Sequence, residues 1–209
     1  MSSLLAFLLV LLSLQITTVN TLSIPQLKSQ IASILPPRNG VGASAKVCSS
    51  ILSLSSKLED LNPTSNPATS NIELSSGSWK VEFSDAPPPS NGQLGPFVGL
   101  AIQKISTETQ TYSNILSLPP IKVQLVASYT PLDSSRLKVT FETLEFRLLD
   151  KQIIKKSLPK GTTRIWCLTY VDSDTRIVRA GAAGGKVKGV ESDQEEDAFF
   201  FYMSKHSNL

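Results

Sequence analysis

The 209-residue chain has a single histidine, His206, close to its C-terminus, and only two cysteines, Cys48 and Cys167. One histidine excludes a multi-histidine metal centre and leaves a serine–histidine triad almost no material. Two cysteines this far apart are no disulfide framework, and they read as two partly buried thiols. A single bridge between them does not follow from the sequence. There is no Cys-x-x-Cys pair, no Gly-x-Gly-x-x-Gly turn and no Walker loop, so nothing calls for a metal, nucleotide or other cofactor. Charged residues make up 18% of the chain and the net charge is +3. That balance, without a basic stripe or polybasic tail, argues against nucleic acid as a partner.

The chain also lacks an apolar run long enough for a membrane span. Leu4 to Ile16 is almost wholly apolar, but it is shorter than the roughly 20 residues a bilayer requires. A cleaved secretory signal peptide over residues 1–23 fits better, although no Lys or Arg precedes the run and no Ala-x-Ala site follows it. An uncleaved anchor is the alternative.

What is present divides into two periodicities. Pro25 opens a short helix with Leu27, Ile31 and Ile34 on one side, and Pro36-Pro37 ends it. Ser44 caps a second, in which Val47, Ile51, Leu54 and Leu58 recur at helical spacing until Asn62-Pro63. A polar linker follows, so residues 24–70 form a helical and linker unit expected to pack on the rest. From residue 71 to 209 the period is two. Trp79, Val81 and Phe83 alternate with polar residues. So do Ile121, Val123, Leu125 and Ala127, then Leu137, Val139 and Phe141, then Leu144, Phe146 and Leu148. Further strands are expected at 100–105, 111–116, 163–170, 175–178 and 198–203. Each has one dry face and one wet face.

Eight or nine short strands in sequence order predict an antiparallel β-barrel, which removes exposed edges. Such a barrel either fills its interior with side chains or holds one small ligand, and the sequence does not decide which. The candidate lining for an apolar ligand is Trp79, Phe83, Val123, Val139, Phe141 and Phe146. Two long loops are expected: one at Pro87–Gly92, near a mouth, and one at Gly181–Asp197, glycine-rich and then acidic. Phe199 to Met203 carries large apolar groups on both faces. One face should enter the barrel and the other should meet the N-terminal helices or a membrane.

Tyr170 to Arg179 holds two acids and two arginines in ten residues of otherwise β-like sequence. Asp172 and Asp174 are candidates for acid–base work or metal ligation, but no third ligand is placed by a motif and arginines lie alongside. Charge pairing is the simpler role. Arg176 and Arg179 need partners if buried. A guanidinium can stack on an aromatic ring or fork onto a carboxylate, and Trp79, on a strand adjacent to the last one in a closed barrel, is a candidate face.

These pieces together resemble the plastid lipid-associated protein family, also called plastid fibrillins or plastoglobulins. Leu58-Glu59-Asp60-Leu61-Asn62-Pro63 is similar to the end of its helix. Leu74 to Trp79, with Gly77, resembles its first-strand pattern, and Gln103, Ile105 and Asn114 fall where its next strands carry Gln-x-Ile and Asn. Val139-Thr140-Phe141 and Tyr170–Arg179, with Asp172, Asp174, Arg176 and Arg179, resemble its late signature, and Phe199–Met203 its closing strand. The resemblance covers about residues 27–205. Val171 and Thr175 replace leucines of the signature, and the Gly181–Asp197 insertion lengthens the last turn.

The resemblance implies a lipocalin-like barrel and no catalytic residues. It implies binding of prenyl lipids, carotenoids or acyl lipids, and association with lipid globules (plastoglobules) or thylakoid membranes of a plastid. With a signal peptide in front, it implies a complex algal plastid reached through the secretory route. A scaffold coating lipid globules, or an accessory to a membrane enzyme, without a ligand cavity, is the alternative function, and a lipid-modifying enzyme on the barrel ranks behind both. The secretory pathway is the alternative destination.

Overall fold

A computed structural model describes residues 22–181 and 198–207. The expected signal peptide (all but its last two residues) and the Gly181–Asp197 loop (all but Gly181) lie outside the described residues. Helix α1 spans Ile24–Ile34 and α2 spans Ala45–Glu59. Gln26 reaches back to the Ser23 N–H at 2.9 Å, and the Ser44 hydroxyl accepts from the Val47 N–H at 3.4 Å. Each bond satisfies an amide that the first helical turn leaves free.

Eleven strands follow among the described residues: β1 Gly77–Ser84, β2 Gln93–Leu94, β3 Phe97–Val98, β4 Leu100–Ser106, β5 Thr111–Leu118, β6 Ile121–Pro131, β7 Arg136–Leu148, β8 Lys151–Ser157, β9 Thr163–Val171, β10 Thr175–Gly181 and β11 Ala198–Lys205. The sheet runs β6-β5-β4-β1-β11-β10-β9-β7-β8, and β6 also pairs with β7. All of these pairings are antiparallel, so the sheet closes into a ring of eight strands. The mainly β, self-closing architecture with helices packed on it is therefore the one expected from the alternating pattern.

Two bulges explain where the alternation changes phase. Val126 pairs with Thr143, but Ala127 pairs with Phe141, leaving Glu142 as the extra residue. The runs 137–141 and 144–148, read from the sequence as separate strands, are one bent strand, β7. Likewise Val81 pairs with Met203 and Phe83 with Tyr202, so Glu82 is extra and the strand turns over. Phe83, expected inside the ring, consequently points out of it and packs under the helices.

The closing strand serves two cores. Phe201 and Met203 enter the ring core with Trp79, Val81, Tyr112 and Trp166. Phe200 and Tyr202 face outward and join Phe83, Tyr170 and Ile177 beneath Leu27, Ile31, Ile51 and Leu58 of the helices. The helices thus cover the β1-β11-β10-β9 side. Helix cover, rather than a membrane, meets the second face of β11.

The segment read as a polar linker closes one end of the ring. Ala68 is buried in the ring core and its N–H donates to Ser134 O at 2.9 Å. The Thr64 hydroxyl donates to Val171 O at 2.5 Å, and the Trp79 indole N–H donates to Ser75 O at 2.8 Å. The opposite end is formed by the Pro119-Pro120 turn, the β7–β8 turn and the Pro87–Gly92 loop.

Candidate functional site

Among the described residues, function could reside at the charged junction at the plugged end or in a cavity towards the other.

At the junction, segments far apart in sequence meet. The Arg176 guanidinium is fully buried and stands 5.1 Å from the Trp79 ring centre. It donates to Gln103 Oε1 and approaches Met203 Sδ at 3.5 Å, while its Nε has no hydrogen-bond partner. No carboxylate among the described residues pairs with it. Burial pulls its pKa down to about 10, against the opposing pull of Tyr112, so it stays charged at neutral pH. Lys205 lies over the same indole at 4.4 Å, and Gly77 (φ +98) leaves room for its ammonium, since a β-carbon there would sit 3.3 Å from Nζ.

Arg179 projects from the outer face of β10. It forks onto Glu59 at the end of α2, Nε–Oε1 2.9 Å and Nη2–Oε2 2.7 Å, and lies over the Phe200 ring at 5.5 Å. Asn62 Oδ1 accepts from the Val171 N–H at 3.2 Å. Asp172 caps its turn by accepting from the N–H groups of Asp174 (3.1 Å) and Thr175 (2.9 Å). It also accepts from the Tyr170 hydroxyl, and Lys28 of α1 reaches it at 2.5 Å while bonding Asp174 as well. Burial alone would raise the Asp172 pKa, but Lys28, Tyr170 and the two N–H groups outweigh it and hold it down at about 2. Burial and the Asp172 contact push the Tyr170 phenol well up. Both acids are thus committed to capping and ion pairing. The partners Glu59 and Lys28 were not assigned to the arginines or acids from the sequence. The signal for Glu59 was its place in the Leu58–Pro63 segment.

The cavity has a volume of about 80 Å³ and is lined by Val81, Ala101, Leu116, Val123, Leu125 and Leu144, with Asn114, Pro89 and Ser90 among its other neighbours. Of the six residues expected to line a ligand site, only Val123 lines it. Trp79 and Val139 are buried in the ring core and Phe141 packs against it. Phe146 is half-buried beside Val123, and Phe83 is outside the ring. The other lining residues lie in the alternating runs, but nothing local marks which end of the ring is left unplugged. Pockets for drug-sized ligands measure about 300–1,000 Å³. At about 80 Å³ this one lies well below that range.

The outer surface differs around the ring. Every residue of β8 is exposed, including Ile153 and Ile154. Among the described residues no group of three or more His, Cys, Asp or Glu could hold a metal, and no helix is long and apolar enough to cross a membrane.

A helix-covered antiparallel ring, plugged at one end, with an apolar core that also holds the Arg176 guanidinium, defines a small β-ring protein. The family model PAP_fibrillin matches residues 25–187, and the chain belongs to that family, the plastid lipid-associated proteins or fibrillins. Its members are generally non-enzymatic proteins associated with plastid lipid bodies. The match stops short of β11. No curated protein and no solved structure matches the chain significantly.

Proposed function

We propose that this protein is a non-enzymatic lipid-binding protein of a plastid that takes the end of an acyl, prenyl or carotenoid chain into the open half of its ring. The observation that carries this reading is the cavity of about 80 Å³ bounded by aliphatic side chains from β1, β4, β5, β6 and β7. Apolar surface removed from water contributes about 25 cal/mol per Å2, so an aliphatic chain end binds there without a polar anchor. A non-catalytic role is supported by the commitments of Asp172 and Asp174, whose oxygens already face Lys28, Tyr170, Thr175 and backbone N–H groups.

Mass spectrometry of lipids extracted from the purified protein tests the reading. An apolar lipid is expected in stoichiometric amount, and it should diminish in Leu125→Phe, which narrows the cavity. Clean extracts from correctly folded protein would sink it. A fluorescent fusion of residues 1–40 tests delivery to a plastid through the secretory route.

A second reading, a protein that coats lipid globules, is favoured by the exposed Leu149, Ile153 and Ile154. Its signature is flotation with lipid particles while the extract stays clean.

A further inference from the structure

At the β7–β8 hairpin β8 departs from the ring, while β7 stays paired with β6 as far as Leu148. β7 pairs with β9 up to Thr140 and with β8 from Thr143 onward, and β8 has no second neighbour in the sheet. Its turn is built on Leu149 (φ +50) and Asp150 (φ +60). Two consecutive left-handed residues are the geometry of a type I′ hairpin turn, which favours Asn-Gly. Leucine is disfavoured there sterically, and this one is 73% exposed. The position therefore holds an apolar group in water at a conformational cost.

The surroundings give the group a context. The Leu149 N–H donates to Pro120 O at 2.9 Å, which joins this tip to the neighbouring Pro119-Pro120 turn. Ile121 and Leu148, cross-strand partners, are both exposed beside it, and Ile153 is 60% exposed on β8. Asp150, the acid of the tip, pairs with Lys122 at 3.1 Å. Glu145 takes Arg147 and Lys155, each at 3.1 Å. From Arg147 to Lys160 the sequence has five cations against one acid, in a chain whose net charge is only +3. Aliphatic side chains at a tip, with its acid neutralised and lysines behind it, fit the boundary between acyl chains and anionic headgroups. The same lysines disfavour edge-to-edge pairing with a second copy.

We propose that this end of the ring docks on an anionic lipid surface, with Leu148, Leu149 and Ile153 entering the interface and Lys151 and Lys156 meeting the headgroups. The inference rests on the reading of the protein as lipid-associated and names the face that does it. The cavity-lining Leu116 and Val123 lie two positions along their strands from Leu118 and Ile121, so docking brings the cavity next to the lipid.

The test is flotation with vesicles of phosphatidylcholine, alone or mixed with phosphatidylglycerol. It uses the full chain and the chain from Leu22, which retains every contact described above and lacks the apolar leader. The wild type should partition onto mixed vesicles in preference to neutral ones. Leu149→Asp with Ile153→Asp should lower that partition by about tenfold or more, and Lys151→Glu with Lys156→Glu should remove the preference for the anionic lipid. Unfolding midpoints should not fall, since all four side chains are exposed and Asp tolerates the left-handed backbone at position 149 better than Leu does. In Leu149→Trp, the added indole should be quenched by brominated lipid, while Trp79 and Trp166 are buried and supply a constant background. Equal flotation of wild type and tip variant, or no quenching, overturns the proposal. So does a tip variant whose effect is to turn a dimer into a monomer without vesicles. Leu125→Phe should float like the wild type, so failure of the cavity reading and failure of the docking reading are seen separately.

Discussion

The guanidinium of Arg176 and the indole of Trp79 face each other inside the ring at 5.1 Å, joining β10 to β1 across the intervening strand β11. Gln103 accepts from the same guanidinium from β4 on the far side of β1. One buried cation therefore bridges four neighbouring strands with an aromatic face and an amide, and without a carboxylate among the described residues.

Removing it should be costly. Arg176→Ala leaves Gln103 unpaired and a hole beside Trp79, so a loss of about 3 kcal/mol or more is expected in urea unfolding. Arg176→Met combined with Gln103→Leu fills the space and removes both polar groups. It should recover most of that loss, because a desolvated charge is itself expensive. If the double variant is no more stable than Arg176→Ala, the contact of the guanidinium with Trp79 outweighs the cost of desolvating the charge.

The Glu59–Arg179 fork should tie α2 to the sheet. Glu59→Gln keeps the shape and removes the charge, and the expected cost is about 1–2 kcal/mol. A double-mutant cycle with Arg179→Met should give a coupling energy of about 1 kcal/mol or more. Amide exchange should accelerate in α2 before it does in β4 and β5. A coupling near zero would mean that the apolar contacts of Ile51 and Leu58 hold the helix alone.

Acid sensitivity should report Asp172. Its folded pKa of about 2 lies below the ordinary 3.8, so its ionised form stabilises the fold. That contribution is fully present above pH 3.8 and disappears as pH falls through about 2. Asp172 and Lys28 are largely but not wholly buried (side chains 17% and 20% exposed), so screening reduces the contribution to about 1 kcal/mol. Asp172→Asn should therefore be less stable than the wild type at neutral pH, and the gap should close in strong acid. A gap independent of pH would assign the effect to the turn hydrogen bonds.

Phe83→Ala should cost about 3–5 kcal/mol through the helix-side core. Because the side chain lies outside the ring, the lipid carried by the folded fraction should be unchanged. Loss of that lipid would return Phe83 to the ring interior.

The two helices, their stops at Pro36-Pro37 and Asn62-Pro63, and most ring strands were legible because each rests on local periodicity and local chemistry. β8 was not. Lys151–Ser157 has no alternating pattern, since neither of its faces is buried and nothing forces one to be apolar. Phe83 was misplaced because a bulge at Glu82 inverts the face, and a bulge is set by the register with β11, about 120 residues away. Val123 alone among the expected lining residues reached the cavity, because alternation says which side chains face inward but not at which end of the ring space remains.

By itself, then, the sequence determined a ring of alternating strands under two amphipathic helices, and it marked Tyr170–Arg179 as a place where charges needed partners. Tertiary structure assigned the expected face, Trp79, to Arg176 and supplied the partners that were not expected: Gln103 for Arg176, Glu59 for Arg179, Lys28 for Asp172 and Asp174. It also decided that the linker plugs one end while a small cavity and an apolar tip occupy the other. The reason is physical. Which face a strand buries follows from its neighbours in sequence, whereas charge pairing, plugging and leftover volume depend on distances that exist only once the ring has closed.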